Sequence, residues 1–502
     1  MIKPSRNSTT IITALAAVIF VQGASAQDFG SSVFSEGGGL LLEPVDPLVT
    51  APGAINAQGT GAGGGGGGAQ GPDGGAVDQG TGPIITLGLS FGYAYEDDDG
   101  EPTESFLEST LSAGVFTETR NQTFDLNFAF DIEAGDLGTG SSEIEIADPS
   151  LRLDYTLQNR DIRFDTDLIW READVGNTFL PAAFNADDLV IDGGTQETQE
   201  ARFRLETGRT ARFGTTTRLE FRQRDFFDTV DPSLVDETRT IFGTDLRFTL
   251  SRRAELRTFA SWTQTEEDDA INTVDTDIRY GASLEVLLDR SWTGNFQVAR
   301  TDEETETTLG TTEQDTYDIT ASATRFMPNG QLTFSAAYQD DGGNTLTSLD
   351  VVRALEMANG AALTAGIGLG VFDNGDVIST ATLRYNQEIL RGRTLSLALT
   401  REGGFSDDDD SVIRTTFNVN YVQELTRVSR LNLTTALADL EDRGAGDDTL
   451  AVSLGITYAH DLTEDWSLQA RADRRINYTN GNRTDSVDQF SIALQRTFSF
   501  RP

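Results

Sequence analysis

From residue 84 to residue 500 apolar side chains recur at every second position, and this period of two limits the fold more than any other feature of the chain. The stretch "IITLGLSFGYAY" places Ile85, Leu87, Leu89, Phe91, Tyr93 and Tyr95 on one face, with Thr86, Gly88, Ser90, Gly92 and Ala94 on the other. Successive side chains of an extended strand point to opposite sides, so such a segment is a strand between two different environments. The pattern returns at Phe124, Leu126, Phe128, Phe130 and Ile132, at Leu151, Leu153, Tyr155 and Leu157, and at Ile278, Tyr280, Ala282, Leu284 and Val286. It persists to the end, where "QFSIALQRTFSFRP" carries Phe490, Ile492, Leu494, Arg496, Phe498 and Phe500 in one row. No helical period competes with it, and counting such runs predicts 22 strands.

The connections between these runs alternate in kind. Ten are short: "TRN" (119–121), "QNRD" (158–161), "GRTAR" (208–212), "SRR" (251–253), "DRS" (289–291), "MPNG" (327–330), "ANG" (358–360), "RGR" (391–393), "TRVSR" (426–430) and "HDLTED" (460–465). The eleven between them read mostly as longer acidic loops, among them "EDDDGEPTE" (96–104), "TEEDDAINTVDTD" (265–277), "TDEETETTLGTTEQD" (301–315) and "GGFSDDDD" (403–410). An even number of strands with tight turns at one end and long loops at the other is the build of an antiparallel transmembrane β-barrel, with its turns periplasmic. The expected fold class is therefore all-β: a barrel of about 22 strands, with 20 to 24 as the range, over residues 84–502, both termini on the turn side. Trp170 and Trp262 fall at the loop ends of their runs, and Trp292 and Trp466 directly follow short turns, all on the apolar row. That distribution is the aromatic girdle expected at two water–lipid boundaries. A β-sandwich would not sort its connections into two kinds, and a β-helix would show a fixed repeat length that these strands lack.

The N-terminus has a different texture. Lys3 and Arg6, an apolar run from Ile11 to Val21 and Ala24-Ser25-Ala26 read as a secretory signal peptide over 1–26, with export to the outer membrane as the expected destination. Residues 27–83 are Gly-rich and read as a disordered periplasmic tail, with the apolar patch at 38–49 open between a docking segment and plain tether. The net charge of −42 argues against nucleic-acid binding, which needs a basic footprint. The absence of cysteine excludes disulfides, thiol catalysis and Cys-ligated zinc.

The signal peptide, the amphipathic strands and the aromatic end of the last strand resemble the outer-membrane β-barrel proteins of Gram-negative bacteria. The resemblance covers residues 84–500 and rests on pattern, so it implies an architecture and no subfamily. In that group a terminal aromatic preceded by apolar residues at every second position is read by the barrel-assembly machinery. Phe490, Ile492, Leu494, Phe498 and Phe500 match this signal, Arg496 takes one apolar slot, and Arg501-Pro502 departs from it by leaving the aromatic third from the end. TonB-dependent transporters have 22 strands and a folded plug domain before them; residues 27–83 are too short and too rich in glycine to be one.

The chemistry suggested by the strands lies on the row opposite the apolar one. Parity places Arg163, Arg202, Arg204, Arg218, Arg222, Arg224, Arg247, Arg257 and Arg279 in the lumen as candidate channel-lining residues, accompanied by Asp154, Asp165, Asp167, Glu206, Glu220, Asp245, Asp277 and Glu285. Two readings stay open for this track: a lattice of ion pairs that stiffens the wall, or a path that selects solutes by charge. The segment 171–200 either folds inward as a constriction or supplies another hairpin. The acidic runs at 97–99, 266–269 and 407–410 are solvated loops or loose sites for Ca²⁺ or Mg²⁺; no other cofactor is expected. The single histidine, His460, falls in a turn, so neither a catalytic site nor an enzyme is expected. The leading expectation is a porin-like passive channel for hydrophilic solutes. The alternatives are an export channel for an acidic surface polysaccharide and a surface structural or adhesion barrel acting through divalent ions. Its expected partners are outer-membrane lipid and lipopolysaccharide, the barrel-assembly machinery, and a small hydrophilic solute or polysaccharide.

Overall fold

A computed structural model describes residues 82–501, apart from 99–102, 137–141, 176–188, 190–193, 230, 232–233, 358–359, 406–410 and 445–446. The expected signal peptide, nearly all of the Gly-rich tail and the acidic run at 407–410 lie outside the described residues.

Twenty-two strands follow one another along the chain. The first eight are β1 (Ile84–Asp98), β2 (Glu104–Glu118), β3 (Gln122–Asp136), β4 (Ser142–Gln158), β5 (Ile162–Asp174), β6 (Thr195–Thr207), β7 (Phe213–Phe227) and β8 (Glu237–Ser251). Next come β9 (Ala254–Glu267), β10 (Val274–Leu287), β11 (Trp292–Thr307), β12 (Gly310–Met327), β13 (Gly330–Asp340), β14 (Thr345–Glu356) and β15 (Ala362–Phe372). The last are β16 (Val377–Leu390), β17 (Arg393–Phe405), β18 (Ser411–Thr426), β19 (Ser429–Asp442), β20 (Thr449–Asp461), β21 (Trp466–Thr479) and β22 (Asn482–Phe500). Each pairs antiparallel with the next, and β22 pairs with β1 from Ile85↔Phe500 to Asp98↔Val487. The sheet is thus a closed barrel of 22 strands, the count the alternation predicts, and closure leaves no strand edge open to another chain.

The two faces separate as the period of two requires. On the apolar row Leu107 is 62% exposed, Phe91 51% and Ile367 76%, a band of exposed apolar surface far beyond what a water-soluble monomer presents. The other row meets material inside: Leu189, in the connection between β5 and β6, packs on Val412, Ala438 and Leu440 of β18 and β19. The polar row therefore faces the lumen.

The ten short connections fall where the sequence places them, and one end of the barrel is built from them. In the two-residue turn Arg391-Gly392 the glycine takes φ +76°, a left-handed conformation that costs a residue without Cβ nothing. The eleven long loops require a correction. Most of "TDEETETTLGTTEQD" is strand, because β11 runs to Thr307 and β12 starts at Gly310. In the same way β1 extends to Asp98, β9 to Glu267 and β17 to Phe405. Alternation of hydrophobicity disappears where both faces of a strand meet water, yet the backbone ladder continues, as in the pairs Glu304↔Glu313 and Asp302↔Asp315. The strands run from 11 to 19 residues, and all but the shortest exceed the roughly 9–11 that a tilted strand needs to cross hydrocarbon, so their surplus projects beyond it.

Candidate functional site: the barrel lumen

Between β5 and β6, segment 171–200 is described only at Val175, Leu189 and Gly194, so the choice between constriction and extra hairpin lies mostly outside the described residues. β5 ends at Asp174, β6 begins at Thr195, and the described residues between them add no strand pair. Val175 is buried, and Leu189 is 3% exposed on the opposite wall, where Asn477 Nδ2 of β21 donates to its carbonyl. A leucine carried inside a barrel from an end connection fills lumen that water would otherwise occupy.

All nine arginines of the predicted track lie on the luminal row, and each has a partner. On single strands the partner sits two residues away, hence on the same face: Arg163 Nε to Asp165 (2.8 Å), Arg204 to Glu206 (2.7 Å), Arg257 to Glu255 (2.9 Å), and Arg202 to Glu200. Across strands Arg218 meets Asp245 (3.3 Å) and Arg279 meets Asp318 (2.6 Å). Arg222 (2.9 Å) and Arg224 share the carboxylate of Glu237. Arg247 instead donates to the carbonyls of Gly208 (2.7 Å) and Arg209 (3.1 Å), and so ties down the β6–β7 turn. A recess of about 420 Å³ opens on this ladder, with Asp154, Asp167, Arg202, Arg204, Arg218 and Asp245 in its lining.

Across the middle of β13 to β19 the luminal row is mostly uncharged: Ser335, Ser348, Thr364, Thr382, Ser396, Asn418, Asn420 and Thr434, with Asp350 and Arg384 as exceptions, while Glu388, Glu424 and Arg430 lie on the same row at its turn end and Glu402, Arg414 and Asp442 at its loop end. The side-chain carbonyls of Asn420 and Asn432 have no donor among the described residues. This wall offers hydroxyls and amides where the ladder offers charge.

The tryptophans sit on the apolar row at both ends. Trp170 Nε1 donates to Glu197 (2.8 Å), and Trp262 lies between Phe242 and Ile278. At the turn end Trp292 is opposite Arg325 and Trp466 is opposite Arg496. The Arg496 guanidinium lies 5.2 Å from the Trp466 ring, 4.4 Å from that of Phe498, and 3.6 Å from Asp465 in the adjoining turn. Stacking on two rings lets an arginine occupy an apolar slot while its charge reaches the turn. Arg325 repeats the arrangement 5.9 Å from Trp292. The pairing of Phe490, Ile492, Leu494, Phe498 and Phe500 with the apolar row of β1 completes the seam. Among the described residues no group of acidic or histidine side chains is placed to hold a metal ion.

No family model matches the chain, and no curated protein matches it in sequence. Solved structures do match. One is the ferric-catecholate import receptor Fiu from E. coli K12, at 10% identity and TM-score 0.56 over 83% of this chain and 81% of that one. Another is the FrpB iron transporter from Neisseria meningitidis, at 8% identity and TM-score 0.52 over the same shares. The chain has the fold of an outer-membrane β-barrel. At such identities the likeness is one of architecture.

Sequence parity found the ladder but missed three features: Leu189 inside, Arg247 holding a turn, and a set of luminal carboxylates on β2 to β4. The last had a signal, since the parity rule applied to β2 and β3 puts Glu108, Asp131 and Glu133 on the luminal row.

Proposed function

We propose that this protein is an integral outer-membrane barrel that passes hydrophilic solutes through its lumen as a porin-like passive channel. The supporting observation is the luminal ladder of exposed arginine–carboxylate pairs beside a wall of hydroxyls and amides, narrowed from one side by Leu189. Charged groups on a lumen wall keep it wet and interact with passing ions. Transport also accords with the roles of the two structures of like fold, an import receptor and an iron transporter. Carboxylate partners at eight of the nine candidate arginines offset most of the positive charge that favoured export of an acidic polysaccharide.

Liposome swelling tests this reading. Proteoliposomes diluted into isotonic solutions of neutral sugars should swell at rates that fall with sugar size, and absence of swelling for the smallest sugar would overturn it. Recognition of the last strand by the assembly machinery has its own test. Phe500→Ala should sharply reduce the heat-modifiable, membrane-inserted form, while removal of Arg501-Pro502 should not.

A further inference from the structure

We propose that the loop end of the β17–β18 hairpin is a movable lid that narrows the lumen, with one seat against the inside of β14 to β16 and a second in the β16 ladder. The proposal rests on the passive-channel reading for its purpose, while its cross-linking test does not.

The ladder between β16 and β17 stops at Ala381↔Arg401, although β16 reaches back to Val377 and β17 runs on to Phe405. β17 stays paired with β18 as far as Phe405↔Ser411, and β18 with β19 as far as Val412↔Asp442. The hairpin end has therefore parted from β16 while keeping its other neighbour. The two rows of side chains tell where it goes. Leu346, Phe372 and Ile378 share the luminal row with Ser348 and Gly370. Gly403, Phe405 and Ile413 share the outer row with Leu399 and Phe417. Yet Ile413 packs with Leu346, Phe372 and Ile378 in one buried cluster, each no more than 4% exposed, and the Phe405 ring meets Phe372 edge-on at 6.0 Å. Outer-row side chains reach the inner row of another strand only where their own strand passes inside it. The hairpin end thus leans into the mouth of the barrel, and its other face bears Val412 against Leu189.

The docked seat is built for close approach. A Cβ at Gly403 would overlap Ile378 Cδ1 and lie 3.3 Å from Phe372 Cζ and 3.4 Å from Leu346 Cδ2, so the lack of a side chain there lets the hairpin come this near. Arg414 Nη2 donates to the Phe405 carbonyl (2.8 Å) and ties the end into one piece. At the pivot, Arg401 Nη1 donates to Thr415 Oγ1 and to Glu441 (both 2.8 Å). Register sets the second seat. Continuing the ladder beyond Ala381↔Arg401 puts Thr380 opposite Glu402 and Val377 opposite Phe405. Unpaired strand edges of this kind invite pairing. Burial of the apolar cluster outweighs the few ladder bonds forgone, whose net worth in water is small, so the docked seat is the resting one.

The chain has no cysteine, so an introduced pair cross-links only with itself. In the full chain reconstituted in planar bilayers, oxidised Ile378→Cys with Gly403→Cys should fix the docked seat and keep the resting conductance of the natural chain. Oxidised Thr380→Cys with Glu402→Cys should fix the second seat and shift the conductance to a higher level, and reductant should return it to the natural one. Heat modifiability on gels shows that each variant is a folded barrel. Should a cysteine pair fail this check, Gly403→Leu, which overfills the docked seat, is expected to raise the conductance on its own; an unchanged level overturns the lid. So does failure of the pair at 380 and 402 to cross-link in a folded barrel, or a conductance that is the same with either pair oxidised in a conducting protein. Both cross-links forming in a protein that never conducts would sink the passive-channel reading and leave the two seats standing. Steady conductance with only the docked pair able to cross-link would do the reverse.

Discussion

The walls β5 to β10 and β13 to β19 have the same backbone ladder and the same apolar exterior, but their luminal rows differ. One carries arginine and carboxylate at alternate positions; the other carries serine, threonine and asparagine across its middle and charge only towards its two ends. Since β13 to β16 pair as fully as the ladder strands with no ion pair among the described residues, the barrel does not need a continuous ladder of them to form. The ladder side chains of Arg163, Arg202, Arg204 and Arg218 are 41–58% exposed, and pairs this exposed contribute about 0–1 kcal/mol each. Stability is therefore a weak reason for so much charge, and contact with the luminal contents is a better one.

Charge reversal breaks the comparison most strongly. Arg222→Glu with Arg224→Glu places three carboxylates, Glu237 included, where two guanidinium groups had shared one. The reversal potential in a salt gradient should move towards cation selectivity by tens of millivolts on the order-of-magnitude scale of charged pore rings. No shift would mean that the ladder does not line the conducting path. Thr382→Glu with Asn418→Glu adds negative charge to the other wall and should move the potential the same way by a smaller amount, because each substitution changes one charge instead of two. An unchanged potential there would show that only the charged wall is wet. The smallest effect belongs to Glu237→Gln, which keeps hydrogen bonding but removes the shared charge. It should tilt selectivity towards anions and cost about 1–3 kcal/mol of stability by leaving half-buried arginines undercompensated, read as a lower unfolding midpoint in urea.

The architecture was legible because a barrel wall has one environment on each side, and period two records that directly. Residues such as Ile85 to Tyr95 specify strand, face and register together. Legibility failed at the projecting ends, where Glu303 to Thr307 and Thr311 to Asp315 are polar on both faces and carry no alternation although they are paired strands. The candidate site was half legible. Parity placed the arginines on the luminal row, while their partners depend on side-chain reach, as with Arg247 turning to carbonyls of the β6–β7 turn. Leu189 was beyond sequence reasoning, since its seat on Val412 and Leu440 joins segments more than two hundred residues apart. Arg496 looked like a flaw in an aromatic row and proves to be stacked between Trp466 and Phe498.

Single-channel conductance in planar bilayers, recorded for the natural chain and for Leu189→Asp, tests the central claim most directly. Undocking Leu189 forfeits about 1.5–3 kcal/mol of apolar burial, so the connection should leave the wall and the lumen should widen. The account predicts a steady ohmic conductance for the natural chain and a larger one for the variant. Two closed proteins, or two identical conductances, would contradict it.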